Sequence, residues 1–142
     1  MRVNKRNSEG YSDPTAYEAL TAVVRDERRK KNPRRLLVYV CSPFAGDTKR
    51  NTENARKYCA FTVEQNAIPL APHLMYPQFM DDGDPKQRKL ALLFGLIWLH
   101  MMDEVWVFGE RISPGMKQEI SKARAIGMPI KFFTEDCEVR TK

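Results

Sequence analysis

The 142-residue sequence predicts an α/β protein: a three-layer Rossmann- or flavodoxin-like parallel sheet of four to five strands, helices on both faces, and an additional N-terminal helix. Three observations predict it. Short β-prone runs alternate with stretches of helical periodicity. Most connections between them are short, as parallel strands joined by right-handed crossovers require. The run Leu36-Leu37-Val38-Tyr39-Val40-Cys41 is β-prone throughout, the pattern of a central strand covered on both sides.

In chain order, Asp13 can cap a first helix, with Pro14 at its first position, and Thr15 to Lys31 follows with Tyr17, Leu20, Val23 and Val24 at helical spacing. Asn32-Pro33 ends it. After the strand at 36–41 comes a loop, Ser42 to Asp47, and then a helix from Thr48 to Asn66 with Ala55, Tyr58, Cys59, Phe61 and Thr62 on its apolar side. Ile68 to Ala71 reads as a second strand. Pro72 to Pro85 holds three prolines and the polar turn DDGD, and its length suggests a functional lid or a disordered segment. Lys86 to Met102 reads as a helix, Glu104 to Phe108 as the third strand, Pro114 to Ile126 as a helix and Pro129 to Phe133 as the fourth strand.

Composition sets outer bounds. A hydrophobic share of 42% and a charged share of 30% are ordinary for a globular domain. No apolar run approaches the roughly 20 residues that span a bilayer, so no membrane contact is expected. The first residues, MRVNKRNSEGYSD, have no apolar core and predict no signal peptide. Three cysteines, odd in number and widely spaced, predict a reduced, cytoplasmic protein without structural disulfides. The net charge is +6, of which +5 falls in residues 1–35, a basic extension expected to be separate from an α/β domain at 36–142. Its run RDERRKKNPRR carries no interleaved aromatics. It reads as a solvated helix end rather than a nucleic-acid contact.

The stretch Asp103 to Ile130 is the most informative. A buried strand, a Gly/Ser/Pro turn and a helix opening near Glu119 place a carboxylate and free backbone N–H groups together at the carboxyl edge of a sheet. Helix N-termini suit anions. Ser113-Pro114-Gly115-Met116 can therefore hold a phosphate, Ser113 through its hydroxyl and Gly115 by allowing close approach; equally, Ser113 reads as an ordinary N-cap. Glu119 has the chemistry of a nucleophile at an anomeric carbon. Tyr39, by alternation in the first strand, shares a face with Leu37 and Cys41, and reads either as a site residue or as a core aromatic. His73, after the second strand, stands at the same sheet edge as Ser42 and Ser113. His100 reads as structural. No His-x-x-x-His or His/Cys cluster suggests a metal, and DDGD lacks calcium-loop spacing. Arg88 and Lys49 read as phosphate contacts or surface charges.

Four segments, VYVCSPFAGD (38–47), the helix with Asn51 and Asn54 leading to IPLAPHL (68–74), MDEVWVFG (102–109) and ISPGMKQEISKARAIGMPI (112–130), carry a resemblance. Together they resemble the nucleoside 2-deoxyribosyltransferase-like superfamily, which includes 2′-deoxynucleoside 5′-monophosphate N-glycosidases, and look closest to a phage- or prophage-borne branch. The resemblance implies a nucleotide or nucleoside ligand, no cofactor and no metal. It implies Glu119 as the nucleophile with Tyr39 beside it, and Ser113 at the position where monophosphate-cleaving members meet the phosphate. Ser42, Pro43 and Phe44 would wall the base pocket, with His73, Gly115 and Met116 completing the binding residues. One departure stands out. Active members carry an acid on the helix before the third strand, whereas LALLFGLIWLHMMD has no carboxylate before Asp103, itself expected to be structural. Asp81, Asp82, Asp84 and His73 are the replacement candidates for protonating the leaving base. The resemblance also implies a homodimer or higher homo-oligomer, which exposed aromatics at Tyr76, Phe79 and Trp98 would permit. The expected function is hydrolysis or transfer at the N-glycosidic bond of a (deoxy)nucleoside 5′-monophosphate, with a non-catalytic nucleotide-binding protein as the alternative.

Overall fold

The computed structural model describes residues 35–140 together with Ala16, Ala19 and Leu20. The chain divides into two units, Met1–Arg35 and Leu36–Lys142. The expected helix at 15–31 and the basic run lie outside the described residues except for Ala16, Ala19 and Leu20, which are helical.

In the second unit four strands, β1 (Leu37–Cys41), β2 (Ile68–Leu70), β3 (Glu104–Phe108) and β4 (Ile130–Phe133), form one sheet in the order β2-β1-β3-β4. Every pairing is parallel, with Tyr39 opposite Leu70 on one side and Val105 on the other. The two central strands are buried almost throughout, so apolar residues run unbroken along Leu37–Cys41 and, after Glu104, along 105–108 rather than at alternate positions. Residues such as Val38, Val40, Val105 and Val107, removed from water entirely, contribute about 1.5–3 kcal/mol each.

Alternation along the strands feeds two cores. On one face Val38, Val40, Trp106, Phe108 and Phe133 pack with Tyr58 of α1 (Thr48–Glu64). Tyr58 stacks on Phe108 with ring centroids 4.4 Å apart, and Phe108 stacks on Phe133 at 5.0 Å. On the other face Tyr39, Cys41, Val105 and Val107 pack with Leu99 of α3 (Pro85–Leu99) and Met116, Ile120 and Ala123 of α4 (Pro114–Ala125). This is the expected three-layer flavodoxin-like α/β fold, with four strands. Chain direction across the sheet reverses between β1 and β3, because β1 leads outward to β2 and the chain then returns to β3 on the other side. Open α/β sheets bind ligands beyond the strand ends at that switch point.

The stretch from Pro72 to Pro85, expected to be a functional lid or a disordered segment, is ordered. It holds the short helix α2 (Pro72–Met75), a 3₁₀ turn (Tyr76–Gln78) and a turn at Asp81–Asp84. Tyr76 orders it: its hydroxyl accepts a 2.7 Å hydrogen bond from Trp98 Nε1, and its ring lies against Phe94. Tyr76 and Trp98 are therefore half-buried against each other rather than exposed; only Phe79 of the three stands out, 69% exposed. Asp103 donates its own N–H to the Leu37 carbonyl and accepts the Leu37 N–H through Oδ2 at 2.7 Å, a structural clamp at the base of β1. His100 lies exposed at the C-cap of α3. Among the described residues no helix is long and apolar enough to cross a membrane.

Candidate functional site

A cavity of about 440 Å³ opens beyond the carboxyl ends of β1 and β3. Its floor is a pair of side chains brought together from residues 80 positions apart. Tyr39 is in the middle of β1, on the face turned to α3 and α4. Glu119 lies in the second turn of α4, beside the buried stripe Met116, Ile120 and Ala123, which turns that side of the helix to the sheet. The Tyr39 hydroxyl and the Glu119 carboxyl lie close enough for each to shift the other's titration. Burial pushes the carboxyl up to about 7, with the nearby Tyr39 hydroxyl pulling the other way. Burial and then the Glu119 charge push the phenol far above its ordinary range. The Cys41 thiol is raised as well, by burial first and Glu119 second. The carboxylate therefore has a donor that stays protonated and an environment that costs it its charge.

A third residue completes the pair. A Cβ built on Gly95 of α3 would lie 2.8 Å from the Tyr39 hydroxyl oxygen. Glycine in a helix interior costs roughly 0.5–1 kcal/mol relative to alanine, and here it makes space for the phenol. Sequence reading missed Gly95. The available signal was a lone glycine inside an otherwise strongly apolar helix.

One wall comes from the start of α4. Ser113 is its N-cap, with its hydroxyl accepting the Met116 N–H at 3.3 Å, and Pro114 is at the first helical position. The structure thus shows the ordinary N-cap reading of Ser113, and the hydroxyl hydrogen remains to be donated elsewhere. Ser113, Gly115, Met116 and Glu119 all line the cavity. The opposite wall comes from the β1–α1 loop and α2. Ser42 Oγ lies 2.9 Å from His73 Nε2, and the Phe44 ring is 6.4 Å from the imidazole. Burial pulls His73 down to about 4, so it is neutral. Asn51 pins this loop by donating from Nδ2 to the Phe44 and Ala45 carbonyls at 3.0 and 3.1 Å. Ser42, Phe44 and His73 line the cavity.

Pro43 does not, contrary to expectation: it follows Ser42 in the loop, and Ser42 and Phe44 present their side chains instead. Lys49 is exposed on α1 and away from the lining, whereas Arg88 belongs to it. Asp81 and Asp82 reach the rim; Asp84 is spent capping α3, accepting the Lys86 N–H at 3.0 Å. The α3 residues that line the cavity, Pro85, Gln87, Arg88, Lys89, Ala91, Leu92 and Gly95, include two cations and no carboxylate. Among the described residues no group of three or more His, Cys, Asp or Glu could hold a metal ion.

Residues 36–133 match a family described as Domain of unknown function (DUF7768). The chain belongs to that family. No curated protein matches it. Among solved structures it is similar to a 2-deoxyribosyltransferase from the psychrotolerant bacterium Bacillus psychrosaccharolyticus, with 16% sequence identity and a TM-score of 0.58, over 73% of this chain and 76% of that one. At that identity the likeness shows a shared fold.

Proposed function

We propose that this chain cleaves or transfers the N-glycosidic bond of a nucleoside or deoxynucleoside 5′-monophosphate, with Glu119 as nucleophile. The observation that carries the reading is the neighbouring Tyr39–Glu119 pair in the lining of a cavity at the switch point of the sheet. A carboxylate there can attack C1′, expel the base and form a glycosyl ester, which water or a second base then resolves. Tyr39 orients the attacking oxygen through its hydroxyl. The start of α4 supplies the anion site: its free amide at Gly115 lies at the positive end of a 12-residue helix, and Ser113 adds a hydroxyl donor. Phe44, with Ser42 and His73 behind it, walls the base. A 2-deoxyribosyltransferase with the same fold agrees with this reading.

A second reading, a nucleotide-binding protein without catalysis, has one specific observation behind it. The α3 face of the cavity carries no carboxylate to protonate a leaving base. A panel of nucleoside and deoxynucleoside 5′-monophosphates separates the two, with free base followed by chromatography. Base release that Glu119→Ala abolishes is the expected result. Ligand-dependent thermal shifts with no release from any member of the panel would replace the first reading with the second.

A further inference from the structure

We propose that Asn51 is a positioning residue for base recognition: by holding two carbonyls of the β1–α1 loop, it fixes the Phe44 ring against which the base of the nucleotide packs. This inference rests on the reading of the cavity as a nucleotide site and adds a residue that sets its selectivity.

Phe44 and Ala45 lie between β1 and α1, outside strand and helix, so their carbonyls have no ladder partner. A carbonyl left without a partner away from water costs free energy. The Thr48 N–H closes the end of the loop on the Gly46 carbonyl at 3.0 Å and leaves the two preceding carbonyls untouched. Asn51 supplies what the backbone does not. It is one turn inside α1, and helical side chains lean toward the N-terminus of their helix, which carries the amide back over the loop. A primary amide has two N–H donors, and Nδ2 serves both carbonyls, Phe44 at 3.0 Å and Ala45 at 3.1 Å. Aspartate has the same shape and no donor; alanine has neither.

The residue whose carbonyl is held also carries the ring. Phe44 lines the cavity with Ser42 and His73, its ring 6.4 Å from the imidazole and tilted by 59°. Ring pairs are favourable only within about 4.5–7 Å between centroids and in particular orientations, so a loop free to shift loses its contact with the base. Asn51 itself is not in the cavity lining and acts on a ligand only through this loop. The groups assigned to the sugar and phosphate, Glu119, Tyr39, Ser113 and Gly115, belong to β1 and to α4 and its cap. Loss of the amide therefore weakens the base contact and spares the others.

The test compares nucleoside and deoxynucleoside 5′-monophosphates with their own sugar 5-phosphates, which lack the base. Dissociation constants are measured by calorimetry on the full chain carrying Glu119→Gln, which cannot form the glycosyl ester, with the sugar phosphate titrated in competition with nucleotide. Asn51→Ala and Asn51→Asp are each expected to raise the nucleotide constant at least about fivefold relative to the sugar-phosphate constant, the low end of what stacking a base on an aromatic ring supplies. Asn54→Ala, further along the same helix, is expected to leave that ratio unchanged. A smaller change in the ratio for either Asn51 variant, or an equal rise in Asn54→Ala, would overturn the inference while leaving the nucleotide site in place. No nucleotide bound by the parent chain would overturn the nucleotide reading itself.

Discussion

Gly95 offers the sharpest test of how the Tyr39–Glu119 pair is held. Replacing it with alanine places a methyl group 2.8 Å from the Tyr39 oxygen, about 0.6 Å inside ordinary contact, while Tyr39 Cζ and Pro72 Cγ stay at 4.0 Å. Two effects oppose each other. Alanine gains roughly 0.5–1 kcal/mol in a helix interior. Overpacking a close-fitted site costs typically 1–3 kcal/mol, and the hydroxyl cannot yield freely because Tyr39 is 2% exposed and packed in the core. The overlap wins, so Gly95→Ala is expected to destabilise the protein by about 0–2.5 kcal/mol. Removing the hydroxyl reverses the sign: in a Tyr39→Phe background the same alanine should stabilise by about 0.5–1 kcal/mol. Urea unfolding of the four proteins gives the coupling energy, expected at about 1–3 kcal/mol. A Gly95→Ala protein more stable than its parent, or a coupling below about 0.5 kcal/mol, would refute the reasoning.

Two further outcomes follow from the site. The Glu119 carboxyl titrates at about 7 in the folded protein against an ordinary 4.5, so between those values the folded chain holds a proton that the unfolded chain has lost. Its contribution to stability is greatest below about pH 4.5 and declines, on the order of 3 kcal/mol in all, as pH rises to about 7. Thermal unfolding of Glu119→Gln should lack this decline and exceed the parent at pH 8. Base release should run the opposite way, rising through about pH 7 as the carboxylate forms; release that is flat from pH 5 to 8 would argue against Glu119 as nucleophile. Ser113→Ala removes the N-cap of α4 and should cost about 1 kcal/mol in denaturant unfolding. It should also raise KM for a 5′-monophosphate but not for the matching nucleoside; equal effects on both would leave Ser113 a cap and nothing more.

Much of this arrangement was legible in the residues. The continuous apolar runs at 37–41 and 105–108 marked central strands because both faces are covered, and the covered part of such a strand has no polar position to alternate. Ser113-Pro114 marked the start of α4 through cap chemistry that acts within one turn. The connection from Pro72 to Pro85 was not legible. Its order comes from Tyr76 meeting Trp98, 22 residues away, and local sequence carries no record of such a contact. The same holds for Pro43, whose neighbours turn to the cavity while it does not.

The sequence by itself determined the four strands, the three longer helices between them, their order and the chemical identity of the groups at the sheet edge, because propensity, periodicity and capping are settled among near neighbours. Only the tertiary structure decided that Tyr39 and Glu119 meet in one cavity, that Gly95 leaves space for the phenol, and that the α3 wall brings no carboxyl group to the cavity. Those are contacts between separate elements. Each depends on how helices and strands pack, through distances of a few ångströms and the loss of water around a charge.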